Sequence, residues 1–116
     1  MVELTLPWPP SVNTYWRMFK NRMIISEAGR KYRTAVAEKV LLQTKGKCQT
    51  DGPVKVTIEA WRPDNRRRDL DNLLKAVLDS LGHAGVYIDD SLIVDLRVYW
   101  AKDIAGMLKI KIEEVK

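Results

Sequence analysis

Asp69 and Asp71 stand at the head of a helical stretch, directly after Arg66-Arg67-Arg68, and Asn72 and Lys75 follow them. Further on, Asp89-Asp90 closes a turn punctuated by Gly82 and Gly85. Carboxylates brought together repel one another unless a cation sits between them, and a hard divalent cation such as Mg²⁺ takes oxygen ligands. An arginine loop beside such a site would deliver a phosphodiester to it. That combination suits phosphoryl transfer, in which a metal activates water and stabilises the leaving oxygen while a protein cation offsets charge building on phosphorus. Lys75 is the candidate for the protein cation, because on a helix it shares a face with Asp71 at i+4.

Taken singly, each residue also has a structural use. Asp69 is a good N-cap, Asp71 suits the first turn of a helix, Asp71 with Lys75 makes an ordinary i,i+4 pair, and Asp89-Asp90 suits a turn. The arginines could simply neutralise the acids. It is the whole set that favours catalysis, since binding to phosphate alone gains nothing from acids at the contact. His83, alone after a helix end, and Cys48, without a partner, receive no chemical role.

A second cluster runs Leu6-Pro7-Trp8-Pro9-Pro10-Ser11-Val12-Asn13 and then Tyr15-Trp16-Arg17. Aromatics interleaved with cations can stack on unpaired bases or wedge a junction open. The competing use of Trp8 and Trp16 is packing, in the core or at a subunit interface.

Charge is unevenly placed along the 116 residues, whose net charge is +5. Residues 1–75 carry 15 basic and 8 acidic side chains, and the remainder 5 and 7. Arg17, Lys20, Arg22, Arg30, Lys31 and Arg33 face Glu27 alone, and Arg62, Arg66, Arg67 and Arg68 face Asp64. Such clustering is the footprint of a phosphate-backbone binder, although a merely solvated surface reads the same way. Arg17, Lys20, Arg22, Arg66, Arg67 and Arg68 are the candidate DNA contacts.

The length fits one domain over residues 1–116, and 46% hydrophobic residues fill one core, which excludes disorder as the main state. A single cysteine excludes a disulfide scaffold and a zinc module. No apolar run of about 18 residues and no basic, apolar leader are present, so a soluble cytoplasmic chain without membrane contact is expected.

These residues must be positioned by a small set of elements. Val2–Leu6 alternates as a strand that the prolines stop, and residues 11–25 suggest a loop or irregular hairpin. Ser26 would cap a helix over about 27–44, with Tyr32, Val36, Val40 and Leu41 on its buried face and Gly46 past its end. Pro53–Trp61 is the clearest strand, with Val54, Val56, Ile58 and Ala60 on one face. Leu70, Leu73, Leu74, Val77, Leu78 and Leu81 form a helical apolar stripe. Leu92, Val94, Leu96, Val98 and Trp100 alternate in another strand, and Leu108, Ile110 and Ile112 in the last. The order predicts an α+β fold, two main helices on a small mixed sheet.

The Leu6–Ser11 segment with Asn13, the Arg66-Arg67-Arg68-Asp69-Leu70-Asp71-Asn72-Leu73-Leu74-Lys75-Ala76 block, Gly85 and Asp89-Asp90 resemble, in this order, the RusA family of Holliday junction resolvases. Ser26-Glu27-Ala28-Gly29 with Tyr32-Arg33 also resembles the family's first helix. The resemblance spans nearly the whole chain, and its most specific part is the Arg66–Ala76 block with the downstream acidic pair. It implies a homodimeric, Mg²⁺-dependent endonuclease, with Mn²⁺ able to substitute, that binds four-way DNA junctions and makes paired symmetric nicks. By position, Asp69, Asp71 and Asp90 would be its metal ligands and Lys75 its essential lysine. Where family members often carry a lysine near the end of the strand after the acidic pair, this chain has Trp100, with Lys102 two positions on. Two rival readings share these residues: a branched-DNA-binding module that does not cut, and a metal-dependent nuclease acting on other branched DNA.

Overall fold

The computed structural model describes residues 2–45 and 50–115, so the expectations for Gly46 and Cys48 lie outside the described residues. In chain order the elements are β1 (Val2–Pro7), a single-turn helix α1 (Val12–Tyr15), β2 (Trp16–Phe19), β3 (Arg22–Ile25), α2 (Glu27–Thr44), β4 (Val54–Trp61), α3 (Leu74–His83), β5 (Ile93–Trp100) and β6 (Met107–Glu114). Short 3₁₀ turns at Leu70–Leu73 and Asp90–Leu92 precede α3 and β5.

The sheet order is β1-β6-β4-β5, antiparallel except for the parallel β4–β5 pair, so the sheet is mixed as expected. Period-2 alternation puts Val54, Val56, Ile58 and Ala60 of β4 beside Leu108, Ile110 and Ile112 of β6, all of them buried. Tyr32, Val36 and Val40 of α2 and Ala76, Val77 and Leu81 of α3 join the same core, which makes an α+β layer with both helices against one sheet.

Ser26 caps α2 as expected, its hydroxyl accepting from the Gly29 N–H at 3.0 Å. Leu41 departs from expectation and is 61% exposed. The buried strip of α2 runs through Tyr32, Val36 and Val40 at four-residue steps, and Leu41 lies one residue, about 100°, off it.

Residues 11–25 are more regular than expected. Behind α1, β2 and β3 form a two-stranded ribbon, Trp16 opposite Ile25 and Phe19 opposite Arg22. Its turn puts Lys20 at φ 50° and Asn21 at φ 64°, both left-handed, as a two-residue hairpin of this hand requires. Lysine is an uncommon residue there, so no Asn-Gly or Asp-Gly signal announces the turn.

The apolar stripe from Leu70 also begins differently. Its first turn is 3₁₀ and the α-helix starts only at Leu74. Asp71 therefore lies in the tighter turn rather than in α3, and no ion pair joins it to Lys75 among the described residues. Along β5, an edge strand, Val98 and Trp100 pack against the core, whereas Val94 and Leu96 are 60% and 40% exposed. A register shift pairs Val54 with Ile93 and Lys55 with Asp95, so Val94 drops out of the alternation and Ile93 packs against the core instead.

Candidate active site

Between β4 and α3, the loop from Arg62 to Asp69 crosses the surface beside Trp8. Asp64 organises it, accepting the Arg66 backbone N–H at 2.9 Å and both terminal nitrogens of Arg68, at 2.5 and 3.1 Å. The Arg68 guanidinium beside it holds the Asp64 carboxyl down, at about 2. Arg68 also lies 5.9 Å from the Trp8 ring centre, and Trp8 stacks on Trp100 at 6.1 Å with 15° between planes. Arg62 completes the ladder, 4.5 Å from the Trp100 ring. Position 100, where the lysine was missing, thus holds an aromatic that locks the loop to the β1 exit.

These contacts divide the arginines. Arg68 is engaged within the loop, whereas Arg66 and Arg67 are exposed and carry no ion pair among the described residues. Arg67→Ala should weaken binding to DNA and lower the slope of log affinity against log salt by about one counterion. A salt titration with an unchanged slope would remove Arg67 from the interface.

Asp69 occupies the N-cap position of the Leu70–Leu73 turn, but its side chain makes no capping hydrogen bond; only its carbonyl is used, accepting the Asn72 N–H at 3.2 Å. Asp69 and Asp71 are both exposed. Neither the side-chain cap of Asp69 nor the Asp71–Lys75 pair forms among the described residues, although Asp71 does occupy the first turn of the Leu70–Leu73 segment. Asp69 lines a cavity of about 620 Å³ whose other walls include Trp8, Pro9, Pro10, Arg67 and Asn72. Lys75 turns elsewhere, with Nζ 5.9 Å from the ring centre of Trp16, which itself packs edge-on against Tyr15 at 5.3 Å. Both tryptophans are partly buried against the core, so packing accounts for part of each.

The downstream acidic pair divides its roles. Asp89 accepts from the Ser91 hydroxyl at 2.9 Å and caps the Asp90–Leu92 turn; the Ser91 hydroxyl and then its N–H hold the Asp89 carboxyl below its ordinary range. Asp90 begins that turn and is exposed, with no ion pair among the described residues. It lines a second cavity of about 260 Å³ together with Arg33, Asp79 and His83. Asp69 and Asp90 thus belong to different cavities of one chain. Among the described residues no three His, Cys, Asp or Glu side chains come close enough to hold a metal ion.

Sequence reasoning missed the polar network behind that second cavity. The Tyr15 phenol donates to Asp79, which also receives Arg33 Nε at 2.9 Å and Nη2 at 2.7 Å. Arg33 Nε further reaches the Tyr15 oxygen at 3.0 Å, and the Ser80 hydroxyl lies 3.4 Å from it. Burial, then the Asp79 carboxylate, raises the Tyr15 phenol above its ordinary range. Burial works against the charge on Arg33, but the bonds to Asp79 and Tyr15 outweigh it and raise its pKa. One signal was available: Asp79 is a lone acid inside the apolar run Val77-Leu78-Asp79-Ser80-Leu81.

A family model described as Endodeoxyribonuclease RusA matches residues 7–113, from the end of β1 into β6. The chain belongs to the RusA family. Its relatives include a protein named crossover junction endodeoxyribonuclease rusA of Enterobacteria phage HK97, 44% identical over 115 residues, covering 98% of this chain and 95% of the relative. The protein of the same name from Enterobacteria phage 82 is 49% identical over 99 residues, 83% of this chain and 79% of the relative. The one from Escherichia coli strain K12 is 46% identical over 96 residues, with the same shares covered. The RusA match takes in the Trp8–Ser11 wall, the Arg66–Lys75 block and Asp90. No helix among the described residues of this RusA-family chain is long and apolar enough to cross a membrane.

Proposed function

We propose that the protein is a cytoplasmic, homodimeric endodeoxyribonuclease of recombination and repair that resolves four-way (Holliday) junctions by paired symmetric nicks. The observation that carries the reading is the Arg66–Asp71 segment, where the exposed Arg67 and an Asp69 carboxylate that makes no capping bond line one cavity, with the exposed Arg66 and Asp71 next to them in sequence. Membership of a family of endodeoxyribonucleases supports it.

Arg66 and Arg67, with Arg17, Lys20 and Arg22 further along the surface, would bind phosphates and fix the strand's register. Asp69, Asp71 and Asp90 are the proposed ligands of Mg²⁺, for which Mn²⁺ would substitute. Oxygen donors suit such an ion in kind, but the described residues of one chain do not bring three such side chains together. When bound, the metal would supply an activated water and offset charge on the leaving oxygen. Lys75, released from Trp16, would approach the phosphate as its charge grows. A second copy of the chain doubles the carboxylates available and gives a two-fold junction two equivalent sites, two independent reasons for pairing.

The decisive experiment incubates a labelled four-way junction, and a linear duplex of the same sequence, with the protein, with and without Mg²⁺ or Mn²⁺. The expected result is paired symmetric nicks in the junction alone, dependent on metal. Junction binding without cutting in either metal would establish the non-catalytic module instead, and cutting of flaps or linear DNA in preference would establish the other nuclease.

A further inference from the structure

The β2–β3 ribbon stands outside the four-stranded sheet, and next to its Lys20-Asn21 turn it carries exposed apolar side chains where a surface hairpin is normally polar. Met18 is 62%, Phe19 50% and Met23 60% exposed. Met18 pairs across the ribbon with Met23, so the two thioethers share one face, and Phe19 is on the other. An isolated two-stranded ribbon is marginal in water, and these side chains add nothing to folding by burial. An exposed apolar group of this kind marks a contact surface.

Its charge says what it contacts. Residues 16–25 contain Arg17, Lys20 and Arg22 and no acid. Arg17 and Lys20 lie 5.6 and 5.4 Å from the centre of the Phe19 ring, which puts two cations beside one exposed aromatic. Apolar side chains set among cations beside the turn are complementary to a base step flanked by phosphates, and wedge side chains of this type unstack such steps. The ribbon is also held firmly at its root. Ser26 N–H and Ser26 hydroxyl both donate to the Tyr15 carbonyl at 2.9 Å, closing the excursion, and Trp16, its first residue, lies under Lys75.

We infer that the β2–β3 ribbon is a DNA wedge: Phe19 enters between unstacked bases at the branch point while Arg17, Lys20 and Arg22 take the flanking phosphates. The root bonds from Ser26 to the Tyr15 carbonyl then hold the wedge at a fixed reach from the scaffold. The inference deepens the junction-resolving function proposed above and rests on it.

The test uses the full chain in metal-free buffer and a four-way junction carrying 2-aminopurine beside the branch point, whose fluorescence rises when it unstacks. The unaltered protein should produce the rise. Phe19→Ala should reduce that rise about five-fold at saturating protein, and Phe19→Trp should restore it. A rise of equal size with Phe19→Ala, or conversion of the Phe19→Ala protein to a smaller species in sedimentation, would overturn the wedge, the second outcome making the ribbon an arm between protomers. Failure of the unaltered protein to bind the junction at all would instead overturn the function on which the wedge rests.

Discussion

Asp71→Asn should leave a junction bound and uncut. The substitution keeps the size of the side chain and removes its charge, in an exposed turn where no ion pair depends on it among the described residues. If Asp71 serves the reaction, single-turnover cleavage falls on the order of 10³-fold, the scale on which loss of one charge-stabilising group acts. Affinity for the junction stays the same or rises, because a negative charge near the phosphate has gone. Cleavage rates and binding isotherms on one labelled junction measure both. Loss of binding and cleavage together, with a lowered melting temperature, would return Asp71 to a structural role in the Leu70–Leu73 turn.

Asp79→Ala should produce the largest loss of stability. The carboxylate is the shared acceptor of the Tyr15 phenol and the Arg33 guanidinium, with side-chain exposures of 27% for Asp79 and 24% for Arg33. Removing it strands a phenol whose residue is fully buried and a cation that burial already disfavours. Leaving such partners unpaired costs about 3 kcal/mol, which in a domain of this size lowers Tm by roughly 10 °C. Asp79→Asn retains one acceptor oxygen and should lose about half as much. Thermal unfolding by circular dichroism measures both. A shift under about 2 °C for the alanine variant would mean that water replaces the carboxylate and that the network does not hold α1, α2 and α3 together.

The parts of the molecule readable from sequence are those whose burial follows a period. Alternation in β4 and β6 and the four-residue steps of Tyr32, Val36 and Val40 each had one face to bury, so pattern and structure agree. Leu41 and Leu96 depart because the pattern does not tell where the opposing layer ends, and Val94 departs because a register shift turns Ile93 to the core in its place. The ribbon was half legible: its strands are short, and a Lys-Asn turn carries no strong signal. In the candidate site, type and spacing single out Asp69, Asp71, Arg66 and Arg67, and all four are exposed. Lys75 was placed on the face of Asp71 by assuming an α-helix where the chain forms a 3₁₀ turn. The Arg33–Asp79 pair spans 46 residues of sequence, and no local pattern brings two such positions together.

Gly29 packs so closely that a Cβ there would meet the Tyr15 carbonyl at 2.5 Å, and that same carbonyl receives Ser26. The ribbon therefore leaves and returns at a clasp of Tyr15, Ser26 and Gly29, with its two end residues, Trp16 and Ile25, packed against the core. Loop-closure entropy rises only slowly with length, by about 0.6 kcal/mol per doubling. A lineage that keeps Tyr15, Trp16, Ile25, Ser26 and Gly29 can lengthen, shorten or recompose the arm between them without reopening the problem of folding. Discrimination among branched DNA shapes can then drift and be selected on an appendage, while the aspartates and arginines stay where the scaffold holds them.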